Sequence, residues 1–169
     1  MFEVRDEKPE DYDAIRRVNE LAFKGKSEAD LVDALRDSGD DIISMVALQD
    51  DKVVGHILFS PVSIENGEDS NTAMGLGPIS VLPEHQRQGI GSRLVKVGLG
   101  ECKANGCPVV VVLGHPEYYP RFGFTPSKPL GIEWEKEVPE EVFMVVELEE
   151  GALEGVAGIV KYHAAFEEF

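Results

Sequence analysis

The chain is expected to fold as an α/β (α+β) domain around one central sheet, and three observations support this. A strand-like run, Leu76-Gly77-Pro78-Ile79-Ser80-Val81-Leu82, passes through a glycine-bearing turn straight into the helical pattern Ser92-Arg93-Leu94-Val95-Lys96-Val97. Val109-Val110-Val111-Val112-Leu113 is an unbroken apolar run of the kind found in strands covered on both faces. Ahead of both, Ile15, Val18, Leu21 and Ala22, then Leu31, Val32 and Leu35, recur at helical spacing. Read along its length, the chain predicts about six to seven strands and about four helices in a single domain over residues 1–169.

The elements follow in order. Phe2-Glu3-Val4-Arg5 is a short first strand. Pro9 suits the first turn of a helix over 9–24. Ser27, with Glu28 and Asp30 after it, resembles the cap of a second helix ending near Gly39. Residues 42–48 and 53–59 flank Gln49-Asp50-Asp51-Lys52, a hairpin turn. Asn66-Gly67 marks another turn before a strand over 72–81. The helix after the glycine turn runs to about Asn105, where Asn105-Gly106 is a stop signal. Pro116 limits the next helix to 117–122. Residues 141–148 form a late strand, and 155–160 an edge strand or coil whose free edge could pair in a homodimer.

The glycine turn, Gln86-Arg87-Gln88-Gly89-Ile90-Gly91, is the most informative segment. A strand, a short turn and a helix N-terminus make an anion site, because unpaired N–H groups and the helix dipole both favour negative charge. Gly89 and Gly91 lack Cβ, so phosphate can approach the backbone closely. Arg87, Arg93 and Lys96 cluster around the turn and can offset the charge of a phosphorylated cofactor. No Lys-Ser or Lys-Thr pair follows the glycines, which excludes a P-loop. Gly89-Ile90-Gly91-Ser92-Arg93-Leu94 lacks the third glycine of a dinucleotide fingerprint and sits mid-chain.

What remains, Gln86-x-x-Gly89-x-Gly91 after a strand ending in Val-x-Pro, resembles the acyl-coenzyme A signature of the GNAT family of N-acetyltransferases. Tyr119-Pro120-Arg121-Phe122-Gly123-Phe124 resembles that family's later Y-x-x-x-G-F element, in the right order and after the right strand. Residues 113–119 and the tail Gly158-Ile159-Val160-Lys161-Tyr162-His163-x-x-Phe166-x-x-Phe169 look like a subgroup of small prokaryotic GNAT proteins with unassigned substrates.

The resemblance implies a mixed, mostly antiparallel twisted sheet whose fourth strand bulges and splays from the fifth. Pro78 suits that break, since proline removes a ladder donor. By resemblance, backbone groups of Ile79, Ser80 and Val81 hold the pantetheine arm and the developing oxyanion, and Gln86, Arg87, Gln88, Gly89, Ile90, Gly91 and Ser92 hold the pyrophosphate of acetyl-CoA. Tyr119 matches the family's general acid, with Tyr118 beside it as the alternative. The base is open among Glu84, His85, His115, Glu117 and water, and His115 follows the fifth strand where the thioester should sit. One departure stands out: where many members carry an Asn opening a helix, this chain has Val112 inside the strand.

Composition narrows the partners. The net charge of −16, from 32 acidic and 16 basic residues, disfavours nucleic acid and suits a cationic acceptor, a small-molecule amine or a protein amine. No apolar run approaches the roughly 18 residues needed to cross a bilayer, and the N-terminus lacks a signal core, so no membrane partner and a cytoplasmic location are expected. Cys102 and Cys107 fit a reducing compartment and lack neighbouring ligands in sequence, so no metal is expected. Three functions compete: an acetyl-CoA-dependent N-acetyltransferase working through a ternary complex, a non-catalytic acyl-CoA-binding or sensing module, and a cysteine-nucleophile acyltransferase. Residues 23–37 and 127–137, with Trp134, are the expected acceptor walls.

Overall fold

A computed structural model describes residues 2–168, so Met1 and the final Phe169 of the tail pattern lie outside the described residues. β1 (Glu3–Asp6), β2 (Ile43–Gln49), β3 (Lys52–Asn66) and β4 (Asp69–Val81) form an antiparallel meander. β5 (Val109–Leu113) joins β4 in parallel, and β8 (Phe143–Glu147) and β6 (Thr125–Pro126) follow antiparallel. β9 (Gly158–Lys161) pairs with β3 on one side and β7 (Ile132–Trp134) on the other. All nine strands share one mixed sheet.

Local chemistry accounts for the turns. Asp50 and Asp51 both adopt left-handed φ, 52° and 62°, as a two-residue hairpin loop matched to strand twist requires. Gly67 does the same between β3 and β4 at φ 64°.

α3 (Ile90–Ala104) covers one face of the sheet, burying Ile90, Leu94, Val95, Leu99 and Cys102 against Ile57, Phe59, Val110 and Val112. Gly98 lets the Phe59 ring lie directly on this helix; a Cβ there would collide with it. α1 (Tyr12–Phe23) and α2 (Ser27–Asp37) cover part of the opposite face, packing Ile15, Leu31, Val32 and Leu35 on Val46, Leu48 and Leu58. Farther along that sheet, Val109 and Val111 pack with Val62, Ile132 and Val145. β5 is thus apolar on both faces, as its composition required.

The class and the mixed sheet are those expected, with some differences in detail. Among the described residues there are three α-helices; the expected fourth is a 3₁₀ turn, Tyr119–Phe122, too short to close an α-helical ladder. Pro9–Asp11 is likewise a 3₁₀ turn before α1, and Ser27 lies inside α2, with Lys26 as its cap. β6 and β7 were not anticipated. β9 is paired on both sides, so among the described residues it offers no free edge for pairing in a homodimer.

The central irregularity falls at Gly77-Pro78. Ile57 faces Ile79 but Phe59 faces Leu76, so β4 carries one residue more than β3 there, a bulge. Pairing of β4 with β5 is confined to Met74–Leu76 against Val110–Val112. Beyond it the two strands part, leaving the outer edge of β4 open.

Candidate active site

The first half of the site is the turn into α3. Arg87 and Gly89 take positive φ, 64° and 86°, and reverse the chain so that α3 begins at Ile90. The first helical bond runs from the Arg93 N–H to the Gly89 carbonyl at 3.0 Å. The N–H groups of Ile90, Gly91 and Ser92 therefore have no partner within the helix. Buried Ile90 pins the helix start to the core. Gln86 donates from Nε2 to the Val81 carbonyl at 3.0 Å, tying the turn to the end of β4. Gln86, Arg87, Gln88 and Gly89 are exposed. Arg87, Arg93 and Lys96 form no ion pair among the described residues, which leaves their charge available to an anion.

Tyr118 closes one side of this corner. Its hydroxyl lies 3.0 Å from Ser92 Oγ. The Arg121 guanidinium sits 4.5 Å over its ring and donates to its carbonyl at 2.8 Å. A Cβ on Gly91 would stand 3.6 Å from the Tyr118 hydroxyl, so Gly91 borders the same space.

The second half is a cleft of about 400 Å³ opening where β4 and β5 part. One wall holds Leu76, Gly77, Pro78, Ile79, Leu113, Gly114, His115 and Tyr119. Phe23, Glu28, Leu31, Trp134, Lys136, Tyr162 and Phe166 complete it. Tyr119 is only 6% exposed. Its ring meets Tyr118 and Phe124 edge-on at 5.1 and 5.7 Å, and Gly114 is a glycine because a Cβ would strike that ring. Burial first, then Tyr118, pushes the Tyr119 phenol up to about 12, so it remains a proton donor at neutral pH. The His115 carbonyl accepts from the Tyr118 and Tyr119 N–H groups at 3.1 and 3.3 Å, holding the imidazole-bearing turn against the cleft.

Not every expected residue converges here. Ile79 lines the cleft and Val81 lies beside Gly91, its Cγ2 about 4.0 Å from where a Cβ would be. Ser80 pairs across from His56, and its hydroxyl is buried with no protein partner. Of the four side-chain base candidates, only His115 reaches the cleft. Glu84 and His85 line a separate groove with Arg5 and Asp11, and Glu117 is exposed outside it. Cys102 is buried in α3, and Cys107 borders a groove without a histidine. Both thiols are free, and their interaction pushes Cys102 up and Cys107 down to about 7, but no triad forms around them among the described residues. No cluster of metal-binding side chains occurs among the described residues.

His56 proves to be part of a buried polar thread. Its Nε2 lies 2.8 Å from Ser44 Oγ and its Nδ1 3.3 Å from Asn19 Nδ2. Ser44 donates to Glu7 at 2.6 Å, and Glu7 pairs with Arg36 at 2.8 Å. Desolvation, then the Arg36 charge, pushes the imidazole down to about 3, so it is neutral. This thread fixes α1, whose last residue is Phe23, to the sheet.

The expected acceptor segments supplied Phe23, Glu28, Leu31, Trp134 and Lys136. Tyr162 and Phe166 were missed as site residues; their aromatic spacing in the tail was the available signal. Tyr162 packs over Gly75, where a Cβ would lie 2.6 Å from its ring.

Residues 3–127 match the acetyltransferase (GNAT) domain. The chain is 35% identical over 167 residues to the uncharacterized N-acetyltransferase YhbS of Escherichia coli, covering 98% of this chain and 99% of that protein. It is 42% identical to the uncharacterized N-acetyltransferase YjhQ of Escherichia coli over 114 residues, which are 66% of this chain and 63% of that protein. The crystal structure of Escherichia coli YhbS in complex with CoA superposes with a TM-score of 0.93 at 33% identity, covering 99% of this chain and 93% of the other. A GNAT family acetyltransferase from Brucella melitensis in complex with acetyl-CoA gives 0.80 at 37% identity, covering 98% of each chain.

Proposed function

We propose, from the premise that this chain belongs to the GNAT acetyltransferase family, that it transfers acetyl from acetyl-CoA directly to a primary amine within a ternary complex. The observation that carries this is the adjacency of three parts: an unpaired helix N-terminus at 90–92, a strand edge left open beyond Leu76, and a buried phenol in one cleft. The residues present fit the coenzyme. The N–H groups of Ile90, Gly91 and Ser92, with Arg87, would hold a pyrophosphate, and the open edge of β4 around Ile79 would hold an extended amide arm.

When bound, acetyl-CoA supplies an activated thioester, whose C–S bond breaks as the new C–N bond forms. Tyr119 holds a proton for the departing sulfur. A phenol raised to about 12 is fully protonated at neutral pH and sits in the cleft wall. His115, at the cleft wall, takes the amine proton directly or through water. Leu76, Leu113 and Pro78 give the cleft an apolar lining beside Tyr119. The hydroxyl retained at Tyr119 weighs against a merely coenzyme-binding module.

We assign the whole chain to one catalytic domain with a cytoplasmic site of action. No described helix is long and apolar enough to cross a membrane. The test is calorimetric titration with acetyl-CoA, wild type beside Gly91→Glu, followed by thiol release with a panel of amines. Binding that is lost in the variant, with amine-dependent thiol release by wild type, supports the reading. Folded wild type that binds no acetyl-CoA overturns it, and binding without thiol release favours the non-catalytic module.

A further inference from the structure

Six side chains, Phe23, Glu28, Trp134, Lys136, Tyr162 and Phe166, line the cleft from α1, α2, the β7 segment and the tail rather than from β4 or the β5–β6 connection. Resting on the transferase reading above, we propose that the acceptor is a small-molecule amine with an apolar, aromatic body, drawn in as a cation by Glu28.

The walls argue for the apolar body. Trp134 is stacked on Phe143, with ring centroids 6.1 Å apart and planes 16° apart. Tyr162 meets Trp134 edge-on at 6.1 Å and lies 4.9 Å from Phe166. Tyr162 is also wedged over Gly75, so the aromatic surface is held before any ligand arrives. A cleft of about 400 Å³ lies within the range of roughly 300–1,000 Å³ that holds small organic ligands. A protein lysine would bring only a four-carbon stem and leave much of the aromatic wall wet.

The charges argue for a cation. Glu28 is the single carboxylate among the described residues lining the cleft, and it is half-buried. Its neighbours on α2 are engaged: Asp30 and Asp33 accept from Arg16 at 2.7 and 2.8 Å. Glu28 makes no hydrogen bond or ion pair among the described residues, and Lys136, the one ammonium lining the same cleft, is not paired with it, so the carboxylate is left to meet a cation there. The exposed Lys136 ammonium lies 5.3 Å from the Trp134 ring, whose face already accommodates it at the rim. The net charge of −16 raises the local concentration of cations. Three of the five aromatic side chains lining the cleft, Trp134, Tyr162 and Phe166, lie beyond residues 3–127, the part that matches the family domain.

The experiment measures thiol release by the enzyme saturated with acetyl-CoA, using ethylamine, hexylamine, 2-phenylethylamine, phenylalanine and a lysine-containing peptide. We expect kcat/KM to rise by at least about tenfold from ethylamine to 2-phenylethylamine, as burial of a few apolar groups requires. Phenylalanine should fall about tenfold below 2-phenylethylamine, because its carboxylate would sit near Glu28. Glu28→Gln should raise KM for 2-phenylethylamine about fivefold with kcat nearly kept. Trp134→Ala should abolish the size preference, lowering kcat/KM for 2-phenylethylamine at least about tenfold while acetyl-CoA affinity stays within about twofold. Phe166→Ala, from a different element, repeats that test where Trp134→Ala folds poorly. A flat amine series, or preference for the peptide or for phenylalanine, overturns the proposed acceptor and leaves the transferase reading standing. Acetyl-CoA binding with no amine turned over overturns both.

Discussion

The two halves of the site are made of different material. At the start of α3 the groups that face a ligand are backbone amides, set by Arg87 and Gly89 in left-handed conformations and by a helix pinned at Ile90. In the cleft they are side chains gathered from α1, α2, the β5–β6 connection, β7 and the tail. An amide-built corner presents the same donors whatever side chains occupy it, and is damaged mainly by bulk or charge placed in its space. A cleft built of side chains is reshaped by each substitution separately. On the proposed function, the difference makes coenzyme affinity and acceptor choice separable by substitution, which the following outcomes test.

The largest effect should come from filling the corner. Gly91→Glu places bulk and negative charge beside Ser92 and Tyr118, and should weaken acetyl-CoA binding by about 100-fold or more while far-UV circular dichroism is kept. Next is Tyr119→Phe in the cleft, which removes only a hydroxyl. Turnover should drop about 100-fold with coenzyme affinity within about twofold. Unchanged turnover would end the acid assignment and blur the division between the halves. Because the phenol is raised to about 12, the wild-type rate should show no loss from its ionisation until the pH approaches that value.

His56 probes the support beneath the cleft. Its imidazole is depressed to about 3 when folded, while the unfolded chain takes a proton near 6.5. Its contribution to stability is therefore complete above pH 6.5 and is lost as pH falls toward 3, by at most about 1.4 kcal/mol per pH unit. Urea midpoints for His56→Gln should show a shallower fall between pH 6.5 and 4.5 than wild type, and an identical slope would refute the buried neutral imidazole. The smallest effect tests the corner from the other side. Ser92→Ala removes a hydroxyl but keeps the amide, and should change acetyl-CoA affinity by less than about threefold. A larger loss would mean that side chains carry more of that corner than its geometry implies.

The same distinction explains what could be read before the structure. The turn at residues 86–92 into α3 was legible because such a reversal needs contiguous residues with fixed conformational demands, which spacing reveals. The break at Gly77-Pro78 was legible because proline has one clear consequence in a strand. Glu28 was visible only as a first-turn acid of α2, since nothing local distinguishes it from Asp30; the difference lies in Arg16, which engages Asp30 and Asp33 from another helix. β6 and β7, with two and three residues, are too short for alternation to show. The place of β9 depends on partners nearly a hundred residues earlier in the chain. Tyr162 stood out only as part of the tail pattern; it packs on Gly75 while also lining the cleft.

The pairing of β9 also bears on colloidal behaviour. β2 ends its partnership with β3 at Phe59, and β9 occupies the flank at Ser63–Glu65. Without β9 that arm would offer bare amides and carbonyls to any passing strand, the usual template for edge-to-edge association. Shortening the chain ahead of Gly158 would therefore do more than unwall a cleft. It would turn a capped sheet into an adhesive one, so that the segment proposed to wall the acceptor cleft also keeps neighbouring molecules apart.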